Sequence, residues 1–243
     1  MSTILALDFD GVVCDAFEEC ALVTWLGEHP HDRAVPGAHQ VALLPAEFKA
    51  RFRKVRDYSR LLEHFVVAHH RGADDVRSQA EFDALFTSLP SGHTGRFTSA
   101  ASAARNWFRT TESDFWLDLH TLYPGVAELM ERHAGSVAIV TAKDAESVWT
   151  VLGRHGLDHT VSEVHGECVD KAGTVREMAA RHGLPFDAVT FVDDNLTTVQ
   201  RVSAVGVNTF WARWGYQTRE HREEAARRAV SAIDLTDLAR LSV

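Results

Sequence analysis

The sequence predicts an α/β protein, a parallel sheet with helices packed on it, interrupted by a largely helical insert. Three observations lead there. A short apolar run near the start ends abruptly in acids; from Tyr123 onward short apolar runs alternate with helix-like segments; between them, residues 17–120 have a helical texture. Alternation of that kind is the pattern of strands joined by crossover helices.

Residues 4–7 are too short an apolar run for a helix and read as a buried strand. The strand delivers Asp8 and Asp10 to its end, where Gly11 lets the backbone turn without a Cβ penalty. Side chains at i and i+2 of an extended chain point the same way, so both acids can face one site. Two carboxylates that close repel each other unless a cation lies beside them, and Mg²⁺, which prefers oxygen ligands, is the natural partner. A solvated Asp-Gly turn is the plain alternative.

In the insert, apolar positions are scattered at first. Phe48, Phe52, Val55, Leu62 and Val66 then share one face at helical spacing, with Arg53, Arg56 and Arg60 roughly opposite. A solvated helix face explains those arginines as well as a substrate contact does. Residues 88–98, rich in Gly, Pro, Ser and Thr, read as a loop. Trp107, Phe115 and Trp116 follow and suit the core of the insert better than a stacking platform.

After Tyr123-Pro124-Gly125 the spacing predicts a helix over 126–133, a strand over 136–140 ending at Thr141, and a helix over 145–155 closed by Gly156. A short strand over 161–164 leads to a helix over 172–182, stopped by Gly183 and Pro185. Residues 188–192 form another buried strand, ending at Asp193-Asp194-Asn195. Residues 205–211 read as the last strand of the sheet and 220–241 as a polar helical tail.

Composition narrows the function. At 243 residues, 45% apolar and 24% charged, the chain has the make-up of an ordinary soluble globular protein. A formal charge of −9 argues against general affinity for nucleic acid or an anionic membrane. There is no basic leader and no apolar span long enough to cross a bilayer. Three cysteines without a framework spacing suit a reducing cytoplasm, and the histidines show no metal-ligand spacing.

Three strand-like runs thus end in useful residues: Asp8 with Asp10, Thr141, and Asp193 with Asp194. In open parallel sheets ligands bind beyond the carboxyl ends of the strands. Lys171 stands just ahead of a helix between the second and third. Four acids, a hydroxyl and a lysine suit a metal and a phosphate. Taken singly, Thr141 and the Asp193-Asp194 pair could be helix caps, and Lys171 a surface lysine opening a helix.

These residues in this order, Asp8-Phe9-Asp10-Gly11-Val12-Val13, Thr141, Lys171 and Phe191-Val192-Asp193-Asp194, resemble the four motifs of the haloacid dehalogenase superfamily. The resemblance implies a Rossmann-like catalytic core over 1–14 and 122–243 and a helical cap inserted over 15–121. It implies Asp8 as the nucleophile forming an aspartyl-phosphate, and Asp10 as general acid, then base. Mg²⁺ would be held by Asp8, Asp194, the main-chain carbonyl of Asp10 and, directly or through water, Asp193. Thr141 and Lys171 would hold the phosphoryl group. The expected activity is hydrolysis of a small phosphorylated metabolite, with Arg53, Arg56 and Arg60 as candidate substrate contacts if the cap closes over the site. Asp10 speaks against a halide substrate, since attack on carbon does not need an acid there. The alternatives are a phosphonate hydrolase drawing on Lys49 or Lys54, a sugar phosphomutase, or a non-catalytic binding module.

Overall fold

The computed structural model describes residues 3–34 and 36–241, so residues 1–2, 35 and 242–243 of the expected units lie outside the described residues. In chain order, β1 (Ile4–Leu7) and the two-residue β2 (Cys14–Asp15) lead into α1 (Phe17–Glu28), α2 (Gly37–Leu43) and α3 (Ala46–Arg56). The 3₁₀ segments Leu62–His69 and Arg71–Asp74 then lead to α4 (Gln79–Ser88), α5 (Ser91–Thr111) and α6 (Ser113–Asp118). After β3 (Thr121–Leu122) and α7 (Val126–Arg132) come β4 (Val137–Val140), α8 (Ala145–Arg154), β5 (Val161–His165) and α9 (Lys171–Arg181). The chain finishes with β6 (Val189–Asp193), α10 (Leu196–Ser203), β7 (Asn208–Ala212), α11 (Arg219–Arg227) and β8 (Ala232–Ile233). It forms two compact units, one of Met1–Asp15 with Thr121–Val243 and one of Ala16–His120. No helix among the described residues is long and apolar enough to cross a membrane.

The first unit is an α/β domain whose six-stranded parallel sheet runs β5-β4-β1-β6-β7-β8. Its central strands β1, β4 and β6 are buried along their whole length, which is why they read as unbroken apolar runs rather than as alternation. Leu7 pairs with Ile139 on one side and Val192 on the other, so the three strand ends lie level. From β1 the chain adds β4 and β5 on one side, then crosses to add β6, β7 and β8 on the other. The reversal opens a crevice at the carboxyl end of β1, where Asp8 stands. Ile4, Ala6, Val140, Met178 and Phe191 belong to the buried cluster on which α9 packs. β2 and β3 form a separate antiparallel ribbon where the chain leaves and re-enters this unit.

The sheet has one strand beyond the expectation. β8 follows residues 205–211 and pairs with β7 through Trp211–Ala232 and Ala212–Ile233, inside what reads as a helical tail. Two residues are too few to show a period.

In the second unit α1 packs along α5, and α1 is buried on nearly all sides. Residues 91–98, expected as loop, are the first turns of the 21-residue α5. Phe97, Ala101, Ala104 and Phe108 bury one stripe of α5, and this packing outweighs the poor helix propensity of Gly92 and Gly95. A Cβ on Gly27 of α1 would lie 2.5 Å from the Phe97 ring, so the two helices meet there at close range. Within their interface the wholly buried Glu19 accepts from Arg105 Nε at 2.7 Å and Nη2 at 3.2 Å, and from Trp116 Nε1 at 3.4 Å. The apolar stripe begun by Phe48 and Phe52 does not continue as one helix. α3 stops at Arg56, and Leu62 and Val66 lie in the following 3₁₀ segment.

Candidate active site

β1 ends in a turn closed by its own backbone, with the amides of Val13 and Cys14 both donating to Phe9 O. Phe9 is fully buried between the two acids on either side of it. Gly11 supplies the turn with φ +94°, a torsion that L side chains rarely adopt. Asp8 Oδ1 accepts from the Phe9 amide at 2.7 Å and pairs with Lys171 Nζ at 2.9 Å. Lys171 also pairs with Asp193 Oδ2 at 2.8 Å, while Asp193 Oδ1 accepts from the Asn195 amide at 2.7 Å.

Asp8, Asp193 and Asp194 are all buried, and each offers an oxygen within 4.8 Å of the others'. Among the described residues this is the one group of acids, histidines or cysteines so placed. The Asp10 carboxylate lies outside the group and turns to Lys143, with Nζ to Oδ2 at 3.4 Å. Asp8, Asp10, Asp193 and Asp194 thus set four carboxylates against the two ammonium groups of Lys171 and Lys143. The residual negative charge and all-oxygen donors fit a divalent cation.

The capping alternatives are taken by other residues. Asp144 accepts from the Ser147 amide at the start of α8, Asp170 from Gly173 at α9, and Asn195 from Thr198 at α10. Thr141, Asp193 and Asp194 are therefore not needed as caps. Thr141 is buried; its amide donates to His165 O, and its hydroxyl accepts from the Lys143 amide at 3.2 Å. Lys171 does open a helix, but with its side chain buried between carboxylates rather than on the surface. Burial alone lowers an ammonium's pKa; here Asp193 and Asp8 outweigh it, and Lys171 stays charged above the usual lysine range. Burial raises the Asp193 carboxyl, with Lys171 opposing the shift.

The three candidate arginines are held within the helical unit. Arg53 is exposed, with its guanidinium 3.6 Å from the centre of the Phe17 ring. Arg60 pairs with Asp83 at 2.6 Å. Arg56, expected on the solvated face, is buried with its guanidinium 5.4 Å from the Phe65 ring centre, because the chain turns after α3 and folds the next segment over it. Lys49 pairs with Glu18 at 3.6 Å, and Lys54 donates to Asp74 O at 2.7 Å. Trp116 is fully buried, while Trp107 and Phe115 are half-buried and pack on Phe108.

A family model for haloacid dehalogenase-like hydrolases matches residues 3–206. The chain belongs to this family. Solved structures with the same fold include a predicted phosphoglycolate phosphatase from Haemophilus somnus, 16% identical, with TM-score 0.64, 98% of this chain and 97% of that one covered. A predicted phosphatase from Clostridium acetobutylicum is 11% identical over 99% of this chain and 100% of its own, with TM-score 0.66. A haloacid dehalogenase-like family protein from Streptococcus pneumoniae is 14% identical over 99% of each chain, with TM-score 0.63. No curated protein matches the sequence significantly.

Two parts of this haloacid dehalogenase-like site are not among the residues the sequence reading picks out. Lys143, 4% exposed, follows Thr141 at i+2, the spacing that singles out Asp8 and Asp10. Trp214, Gly215 and Tyr216 follow the end of β7 and reach the β1 turn: Trp214 Nε1 donates to Val12 O at 3.2 Å and the Tyr216 amide to Asp194 Oδ2 at 2.6 Å. The rule that ligand residues lie beyond strand ends would have found both.

Proposed function

We propose that this hydrolase is a Mg²⁺-dependent phosphatase of the cytoplasm that cleaves a small phosphorylated metabolite through an aspartyl-phosphate on Asp8. The observation that carries the reading is the different company of its two leading acids: Asp8 beside Lys171, Asp193 and Asp194, and Asp10 beside Lys143. Oδ1 of Asp8 is fixed by two donors, so we assign attack on phosphorus to its other oxygen. Asp10 then gives its proton to the departing alcohol oxygen. In the second half it takes a proton from the water that attacks phosphorus, releasing inorganic phosphate and restoring Asp8.

Thr141 and Lys171 would hold the phosphoryl oxygens. Asp8, Asp194 and the Asp10 main-chain carbonyl would hold Mg²⁺, with Asp193 directly or through water. Bound there, the cation offsets the negative charge that otherwise keeps a phosphate away from carboxylates. The helical unit would set substrate selectivity. Arg53, exposed on α3, is its leading candidate contact, ahead of Arg60 and the buried Arg56.

The test is phosphate release from a panel of phosphorylated small metabolites, with Mg²⁺ or excess EDTA, for wild type and Asp8→Asn. Release that requires both the cation and Asp8, with unchanged melting of the variant, is the expected result. Release that survives Asp8→Asn refutes the nucleophile assignment. Phosphonate cleavage or isomerisation without phosphate release favours the phosphonatase or mutase alternative.

A further inference from the structure

We propose that Gly215 and the main-chain amide of Tyr216 form a cradle that aims Asp194 at the cation, making the segment after β7 a positioning element of the metal site. The inference rests on the metal-site reading above. Asp194 is 5% exposed and lies against two glycines from separate loops. A Cβ on Gly11 would fall 2.2 Å from Asp194 Oδ2, and one on Gly215 would fall 2.4 Å from the same oxygen and 2.3 Å from Gly11 O. Gly11 is also required by its positive φ. Gly215 is outside the left-handed region, so its backbone suits any residue, and glycine there answers to space alone.

What fills that space is a hydrogen bond to a charged group. The Tyr216 amide reaches Asp194 Oδ2 at 2.6 Å, and Trp211 Nε1 reaches the Asp194 carbonyl at 2.7 Å, so both the carboxylate and the main chain of this residue are held from the β7 side. A carboxylate gripped at one oxygen has its plane set, and with it the direction in which the other points. The segment is itself anchored. Tyr216 Oη donates to Asp15 Oδ1 at 2.8 Å on β2, and Trp214 Nε1 to Val12 O in the β1 turn. Residues 211–216, from the end of β7 onward, therefore tie Asp194, the Asp8–Asp10 turn and the β2 strand into one frame.

The experiment measures Mn²⁺ binding to the full chain without substrate, from the electron paramagnetic resonance signal of free Mn²⁺, with melting in EDTA as the check on folding. Gly215→Ala is expected to weaken Mn²⁺ binding about tenfold or more, the usual effect of disturbing a residue that orients a metal ligand. Tyr216→Phe keeps the amide and frees the anchor, and is expected to weaken binding about fivefold, the worth of one hydrogen bond. Gly153→Ala, on the open side of α8 with nothing within 4 Å, should bind as wild type does. Wild-type Mn²⁺ affinity in a folded Gly215→Ala or Tyr216→Phe overturns the proposal, as does a wild type that binds no Mn²⁺. A wild type that binds Mn²⁺ and loses it in Gly215→Ala, yet hydrolyses no phosphomonoester, would sink the phosphatase reading and leave the cradle standing.

Discussion

Acid should loosen the helical unit well above the range where carboxylates titrate, because two of its histidines, the buried His64 and the half-buried His69, are held in the neutral form. His64 is packed between Phe82 and Phe86, and its Nδ1 accepts from the Arg60 amide at 3.1 Å. His69 lies among Phe48, Phe97 and Trp25, and its Nε2 donates to Thr24 O at 2.9 Å. Burial lowers both to about 4, with the Arg60 charge adding to the effect at His64 and the Thr24 hydrogen bond opposing it at His69. The unfolded value is near 6.5, so between about 6.5 and 4 the unfolded chain binds more protons and stability rises with pH. The contribution is intact above 6.5 and lost as pH falls towards 4. From pH 7 to pH 5 the loss is about 2 kcal/mol for each ring and about 4 kcal/mol for the pair, a large part of the 5–15 kcal/mol that holds a typical domain together. Glu163, held low by Arg181, His182 and His165 against its burial, adds acid sensitivity only below its ordinary range, which separates the two effects by window. Urea unfolding at pH 7, 6 and 5 reads the slope, and histidine proton shifts in the folded protein read the two titrations directly. A folded-state titration of either ring near 6.5, or unfolding free energies at pH 7 and 5 within about 1 kcal/mol in Asp193→Asn, which lacks the raised carboxyl that opposes the slope, refutes the reasoning.

Three further outcomes follow from other contacts. Glu19→Gln leaves the buried Arg105 without its carboxylate and should destabilise the helical unit by about 3–5 kcal/mol in denaturant unfolding; a change below about 1 kcal/mol would show the pair to be solvated. Lys171→Met leaves Asp8 and Asp193 facing each other and should lower the melting temperature in EDTA, with much of the loss regained in Mg²⁺; no such rescue would remove the charge argument for the site. Lys143→Met should cut kcat about tenfold with little change in KM, since it loosens Asp10 and not the phosphate contacts, and Lys143→Arg should recover part of it. An equal rise in KM alone would reassign Lys143 to substrate binding.

The strand ends were legible in the sequence because each is a local event. An apolar run of four or five residues that stops at Asp8, Thr141 or Asp193 needs no distant partner to be seen, and alternation after Tyr123 places those ends on one edge of a parallel sheet. The acids, the hydroxyl and Lys171 follow from residue type and order. The sheet's sixth strand, the helicity of residues 91–98 and the burial of Arg56 were not legible, since each depends on packing against an element remote in sequence. The same holds for the Lys143–Asp10 pair and for Gly215 against Asp194 and Gly11. What the sequence determined by itself is which polar and charged residue types stand at which strand ends. What only the tertiary structure decided is which of those groups meet, because strand register and loop approach set distances of 2–4 Å that side-chain spacing along the chain does not encode.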